Sequence, residues 1–185
     1  MKSVQRYLPL LLLATGCASS GPLLYTKHDP TKHEVVFGIV RNRLSDVHSF
    51  GGKNAELFFS PQKIVHKNGQ PYYQFIVQLR SQGGPYGPYL LIKPGQSMIL
   101  HIDGKRFAYR TKVGSGPRRT KTKALFSPIF SESAVYENVS EADISRIARA
   151  NRIEVEIQGK KQSVLGLFSE QNFAAFEALL QTSST

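Results

Sequence analysis

From Tyr73 to Arg80 the side chains alternate. Tyr73, Phe75, Val77 and Leu79 fall on one side, and Gln74, Gln78 and Arg80, joined by Ile76, on the other. A period of two marks a half-buried strand, and one wet face places that strand in an antiparallel sheet. Before it, Ile64-Val65-His66 and the turn Lys67-Asn68-Gly69 complete a hairpin, because an Asn-Gly pair tolerates positive φ. A second hairpin is sharper. In SMILHIDGKRFAYRT the pair Asp103-Gly104 suits a two-residue type I′ loop, which sets Ile102 against Lys105, His101 against Arg106, Leu100 against Phe107 and Met98 against Tyr109. Facing residues share a side of the sheet, so Met98, Leu100, Phe107 and Tyr109 are expected to form one apolar cluster of the core.

Further strands are expected at Glu34–Val40, at Ala55–Ser60 and, more briefly, at Leu90–Lys93, with a polar turn region from Asn42 to Asn54 and an irregular Gly/Pro stretch from Gly83 to Tyr89. The period then changes to that of a helix at VSEADISRIARANR, where Ser140 fits the N-cap with Asp143 three residues on, and Val139 can staple onto Ile144. Ile144, Ile147 and Ala148 line its apolar side. Another hairpin, RIEVEIQGKKQSVLGLF, turns Ile153, Val155 and Ile157 inward and Glu154 and Glu156 outward. A last helix from about Glu170 to Gln181 carries Phe173, Phe176, Leu179 and Leu180 as a stripe, capped by Ser169. Strands, helix, hairpin, helix describe an α+β fold: an antiparallel β-sheet built from hairpins, one face covered by the two C-terminal helices.

The first sixteen residues follow another logic. Lys2 and Arg6 precede an apolar run from Leu8 to Leu13, and Ala14-Thr15-Gly16 are small, the order of a secretory signal. Leu8 to Ala14 is seven residues, whereas a membrane span needs about 20. Cys17, the only cysteine, has no partner for a disulfide. At the head of a small-residue stretch it is badly placed to find the base and electropositive pocket a reactive thiolate needs. An ordinary cleaved signal with an incidental cysteine is one alternative. Ala14-Thr15-Gly16-Cys17 resembles the lipobox of bacterial lipoproteins, with Ala14 where leucine is usual. That resemblance implies acylation of the Cys17 thiol, cleavage before it, and, with Ala18 following, sorting to an outer membrane facing the periplasm if the source is diderm. Each buried methylene then contributes about 0.8 kcal/mol to anchoring.

These readings divide the chain into a signal peptide (1–16), a lipidated flexible tether (17–33) and a single α+β domain (34–185). Without the signal peptide, 22 basic and 13 acidic residues remain, a formal charge of +9. Eight of the basic residues, Lys105, Arg106, Arg110, Lys112, Arg118, Arg119, Lys121 and Lys123, fall in an acid-free interval between Asp103 and Glu132. On an exported protein such a cluster fits an anionic envelope surface better than nucleic acid, and cations close to a lipid anchor add roughly 1 kcal/mol each. Arg118, Arg119, Lys121 and Lys123 are the candidate binding residues. A merely solubilising loop is the plainer reading of the same charges.

Two segments, LLIKPGQSMILHIDGKRFAYRT and AVYENVSEADISRIARANRIEVEIQGKKQSVLGLFSEQNFAAFEALL, resemble the C-terminal body of a group of uncharacterised bacterial lipoproteins, over roughly half of the mature chain. The shared motifs describe a core, so the resemblance implies no catalytic positions.

Candidate chemistry is sparse. His28, Asp29 and His33 match no recognised metal-ligand spacing, and neither a metal nor a cofactor is expected. No nucleophile elbow and no phosphate-cradling glycine loop occurs. Glu154 and Glu156 share a strand face, as do His101 and Asp103 in the same reading, which leaves a hydrolase assembled from distant residues as the alternative. The favoured expectation is a lipid-anchored, non-enzymatic envelope protein that contacts a partner protein or an anionic surface, attached to the membrane through lipid on Cys17.

Overall fold

A computed structural model describes residues 21–49, 55–82, 90–120, 129–160 and 162–182. Its element order is β1 (Leu23–Asp29), β2 (Glu34–Val40), β3 (Ser45–Ser49), β4 (Ala55–His66), β5 (Pro71–Gln82), β6 (Gly95–Ile102), β7 (Lys105–Thr111), β8 (Arg118–Thr120), β9 (Ile129–Val139), α1 (Glu141–Ala148), β10 (Ile153–Gln158), β11 (Ser163–Leu167) and α2 (Glu170–Leu180). The fold is α+β and its sheets are antiparallel. The strands divide between two sheets rather than filling one: six in the order β1-β2-β4-β5-β9-β8, and five in the order β3-β11-β10-β6-β7.

The alternating strands explain why the sheets meet. Leu57 and Phe59 of β4 and Phe75, Val77 and Leu79 of β5 are buried in one core with Met98, Leu100, Val155 and Ile157 of the other sheet. Phe75 meets Tyr109 edge-on across the gap, centroids 5.2 Å apart. The β6–β7 register is the expected one, from Ile102 with Lys105 to Met98 with Tyr109, with an irregularity between Gln96 and Met98. Asp103 and Gly104 adopt φ of 47° and 80°, the positive pair a type I′ turn requires. Phe107 is only half-buried, at the core's margin, because β7 is an edge strand; Arg146 lies over its ring at 4.4 Å.

The helices close the remaining inner surface. Ile144 and Ile147 of α1 and Phe176 of α2 are fully buried in the shared core, and Phe59 and Phe176 stack at 5.8 Å. Leu179 and Ala175 cover Phe37, Ile39 and Val65. The buried face of α2 is Asn172, Ala175, Phe176 and Leu179, turned slightly from the expected stripe, so Phe173 and Leu180 are half-buried at its flanks.

Several segments differ from the sequence expectation: the separate strands expected at Ala55–Ser60 and Ile64–His66 are one strand, β4, and Arg118–Thr120, expected within a loop, is β8. Residues 23–29, expected within a flexible tether, form β1, paired along its whole length with β2. Gly38 makes this possible: a Cβ there would sit 2.5 Å from the Tyr25 ring, so Tyr25 lies across β2 and its hydroxyl accepts from Gln62 Nε2, while Gln62 Oε1 accepts from Gln74 Nε2 at 2.6 Å. Residues 30–33, also within the expected tether, form the turn into β2; residues 18–20, like the signal peptide and Cys17, lie outside the described residues. Within the polar region after β2, Leu44 and Asn42 are buried, and β3 pairs with β11. Ile129–Val139, for which no element was expected, is an eleven-residue strand. Leu90–Lys93 is not a ladder strand; only Ile92 makes an isolated bridge, to Gly159.

Candidate functional site

The described side chains of the basic segment lie on β7, in the loop after it and at the start of β8. Arg106 and Arg110 are exposed on β7, at the edge of the five-stranded sheet. Lys112 pairs with Glu137. Arg118 opens β8, at the edge of the six-stranded sheet, opposite Ser131. Arg119 follows in the β8 ladder opposite Phe130, and its side chain, like Lys121 and Lys123 altogether, lies outside the described residues. Arg118 and Lys112 line a groove of about 370 Å³ between the 111–116 loop and Ser131, Ser133, Val135 and Glu137. Glu137 offsets the ammonium of Lys112, so Arg118 and the two serine hydroxyls are what this groove offers to a small anion.

Of His101, Asp103 and Glu154, only the first and last share a face. His101 and Glu154 are direct ladder partners, and facing residues share a side, so both stand on the outward side of the sheet with Arg106. Asp103 does not join them. At its positive φ in the turn, its carboxylate accepts from the amides of Asn151 and Arg152 at 3.0 and 2.9 Å, fastening the hairpin to the chain that leaves α1. Glu156 lies 4.0 Å from His101 and accepts from Gln158 Nε2. Of the other candidates, Asp29 caps the β1–β2 turn by accepting from the Thr31 and Lys32 amides. No group of three metal-ligating side chains occurs among the described residues.

The most demanding polar centre was not singled out by the sequence. Glu132, on β9, is turned inward and buried. One carboxylate oxygen accepts from the Leu90 amide at 2.7 Å, the other from Leu91 at 2.7 Å and Ile92 at 3.4 Å. These are the donors that a strand at 90–93 would have spent on a ladder. Leu91 takes a positive φ of 53° to present them, and Gly159 is needed because a Cβ there would meet the Leu90 carbonyl at 1.8 Å. Burial pushes the Glu132 carboxyl up from its ordinary value, and the three amides with the adjacent Ser115 hydroxyl offset this only partly.

Two further polar contacts cross the interior. Tyr136 of β9 and Ser97 of β6 share a hydrogen bond at 3.1 Å between the sheets; burial drives the tyrosine up to about 12 despite that partner. Asn172 donates to Asn42 Oδ1 at 2.6 Å and to the Arg43 carbonyl, while Asn42 donates to the Phe59 carbonyl. Asn172 Oδ1 also accepts from the Ser169 amide and hydroxyl. Buried polar groups paired in this way are structural.

No family model, curated protein or solved structure matches the chain.

Proposed function

We infer that the chain is a lipid-anchored cell-envelope protein, acylated on Cys17, with a non-enzymatic binding or structural role toward a partner protein or an anionic envelope surface. The observation that carries this reading is the order at the start of the sequence: basic Lys2 and Arg6, apolar Leu8–Leu13, small Ala14-Thr15-Gly16, then the only cysteine. Acylation gives that sulfur a use that neither a disulfide nor catalysis offers. Asp103 is spent on the Asn151 and Arg152 amides instead of joining His101 and Glu154 on the sheet face, which favours a binding role over a hydrolase. Arg118, exposed beside the Ser131 and Ser133 hydroxyls, is where an anionic group would be received, with Arg119, Lys121 and Lys123 following it in sequence.

Replacing Cys17→Ser tests the anchor. The wild-type chain is expected in the membrane fraction with a mass increased by acyl chains, and the variant in the soluble fraction. Equal membrane retention of the two would refute lipidation.

A further inference from the structure

The end of the β1–β2 ribbon that lies closest in sequence to Cys17 is where apolar side chains stand clear of the fold. Six large hydrophobic side chains are exposed among the described residues, and three of them are here: Leu23 (41%), Leu24 (48%) and Val40 (41%). Leu23 and Val40 are ladder partners, as are Leu24 and Ile39. Because successive strand residues alternate faces, the ribbon end is apolar on both sides. On the Leu24 side it opens onto a groove of about 530 Å³ walled by Ile39 and by Ala174, Ala175 and Ala178 of α2.

Charge does not account for this end. Arg41 is exposed beside Val40, but Arg43 is paired with Glu56 at 3.1 Å, and Asp46 lines the neighbouring groove with both arginines. Opposite signs are nearly matched. What distinguishes the site is apolar surface, held in place by the full β1–β2 ladder and the Tyr25–Gln62–Gln74 chain of hydrogen bonds.

Distance supplies the occupant. Gly21, the first described residue, is four positions after Cys17, and four residues extend at most about 14 Å. A cysteine whose acyl chains lie in a bilayer therefore keeps the ribbon end within about 14 Å of the membrane surface, within reach of a headgroup layer about 5 to 8 Å deep on each side of the hydrocarbon core. The geometry points to a membrane seat: Leu23, Leu24 and Val40 enter the headgroup region of the same bilayer that takes the lipid of Cys17. This rests on the acylation of Cys17. It orients the domain, because the β1–β2 turn and the Lys67–Gly69 turn lie together at the other end of the sheet, where Glu34 pairs with His66, a seven-residue strand or about 20 Å away.

Acylation blocks Cys17, so an introduced thiol can be labelled alone in the full acylated chain. A fluorophore on Leu24→Cys, and separately on Val40→Cys, is compared with one on Lys67→Cys in phosphatidylcholine vesicles carrying a headgroup nitroxide. Several-fold stronger quenching at 24 and 40 than at 67 is the expected result, in neutral as in anionic vesicles. Equal quenching at all three positions, on protein that floats with the vesicles and carries its acyl mass, overturns the seat while leaving the anchor standing. Protein that neither floats nor carries acyl mass overturns the anchor and the seat with it. Quenching at 24 and 40 only in anionic vesicles would overturn the apolar basis of the seat and return the contact to charge.

Discussion

Asp143 and Glu132 both accept backbone amides, in unlike surroundings. Asp143 sits at the rim of α1 and accepts from the Ser140 amide at 3.0 Å, three residues away, while Ser140 Oγ accepts from the Asp143 amide. Glu132 sits in the interior and accepts from Leu90, Leu91 and Ile92, some forty residues earlier in the chain. The two are displaced in opposite directions. For Asp143, partial burial acts upward but is outweighed by the Ser140 hydroxyl and amide and by Arg146, and the carboxyl ends below its ordinary value. For Glu132, burial wins over three amides and the carboxyl ends above it. Hydrogen bonds of one kind thus stabilise charge in both places, and the cost of removing water decides the outcome.

The largest expected effect follows from removing the buried member. Glu132→Ala leaves three amide donors without an acceptor, and each unsatisfied buried donor costs about 1 to 3 kcal/mol. A loss of roughly 3 to 5 kcal/mol in urea unfolding is expected, with faster amide exchange at Leu90, Leu91 and Ile92. A loss no greater than that of Asp143→Ala would erase the distinction between the two sites. Asp143→Ala removes one half of a capping box at the edge of solvent and is expected to cost about 1 kcal/mol in the same measurement, near the usual value for a lost helix cap.

Acidity separates the pair by sign. The raised Glu132 carboxyl favours the folded state in its neutral form, so its contribution is full below the unfolded value near 4.5 and declines as pH rises through the folded value. The lowered Asp143 carboxyl contributes above its unfolded value near 3.8, and that contribution is lost as pH falls through the folded value. The stability difference between wild type and Glu132→Gln should therefore shrink on going up in pH from about 4, whereas that between wild type and Asp143→Asn should grow on leaving strong acid. Parallel slopes for the two variants in chemical denaturation would contradict the opposed displacements.

The same contrast separates what was legible in the chain from what was not. The Ser140–Asp143 cap, the Asp103-Gly104 hairpin and the alternation of β5 are local, and each was read directly with its register or partner. Strand β9 is not legible in the sequence because its inward positions include Glu132 beside Ala134 and Tyr136, which breaks the apolar alternation. The 90–93 segment looks like a strand because Leu90 and Ile92 are buried as a strand's would be, yet a carboxylate far along the chain takes its donors. Strand β1 is short of apolar residues after Leu24, and it holds because Gly38 admits Tyr25. For the candidate sites, strand alternation alone would set His101 and Asp103 on one side, and the positive φ of the turn sends Asp103 to the amides after α1 instead.

Turn chemistry, helix caps and the period of the strands are properties of a few neighbouring residues, so the sequence alone determined the α+β class, its antiparallel hairpins and its helix starts. The division into two sheets, the place of Glu132, the tie between Asn42 and Asn172 and the exposure of Leu23, Leu24 and Val40 were decided only by the tertiary structure. Each depends on which distant segments exclude water from one another, and that is a property of the packed chain rather than of any short stretch within it.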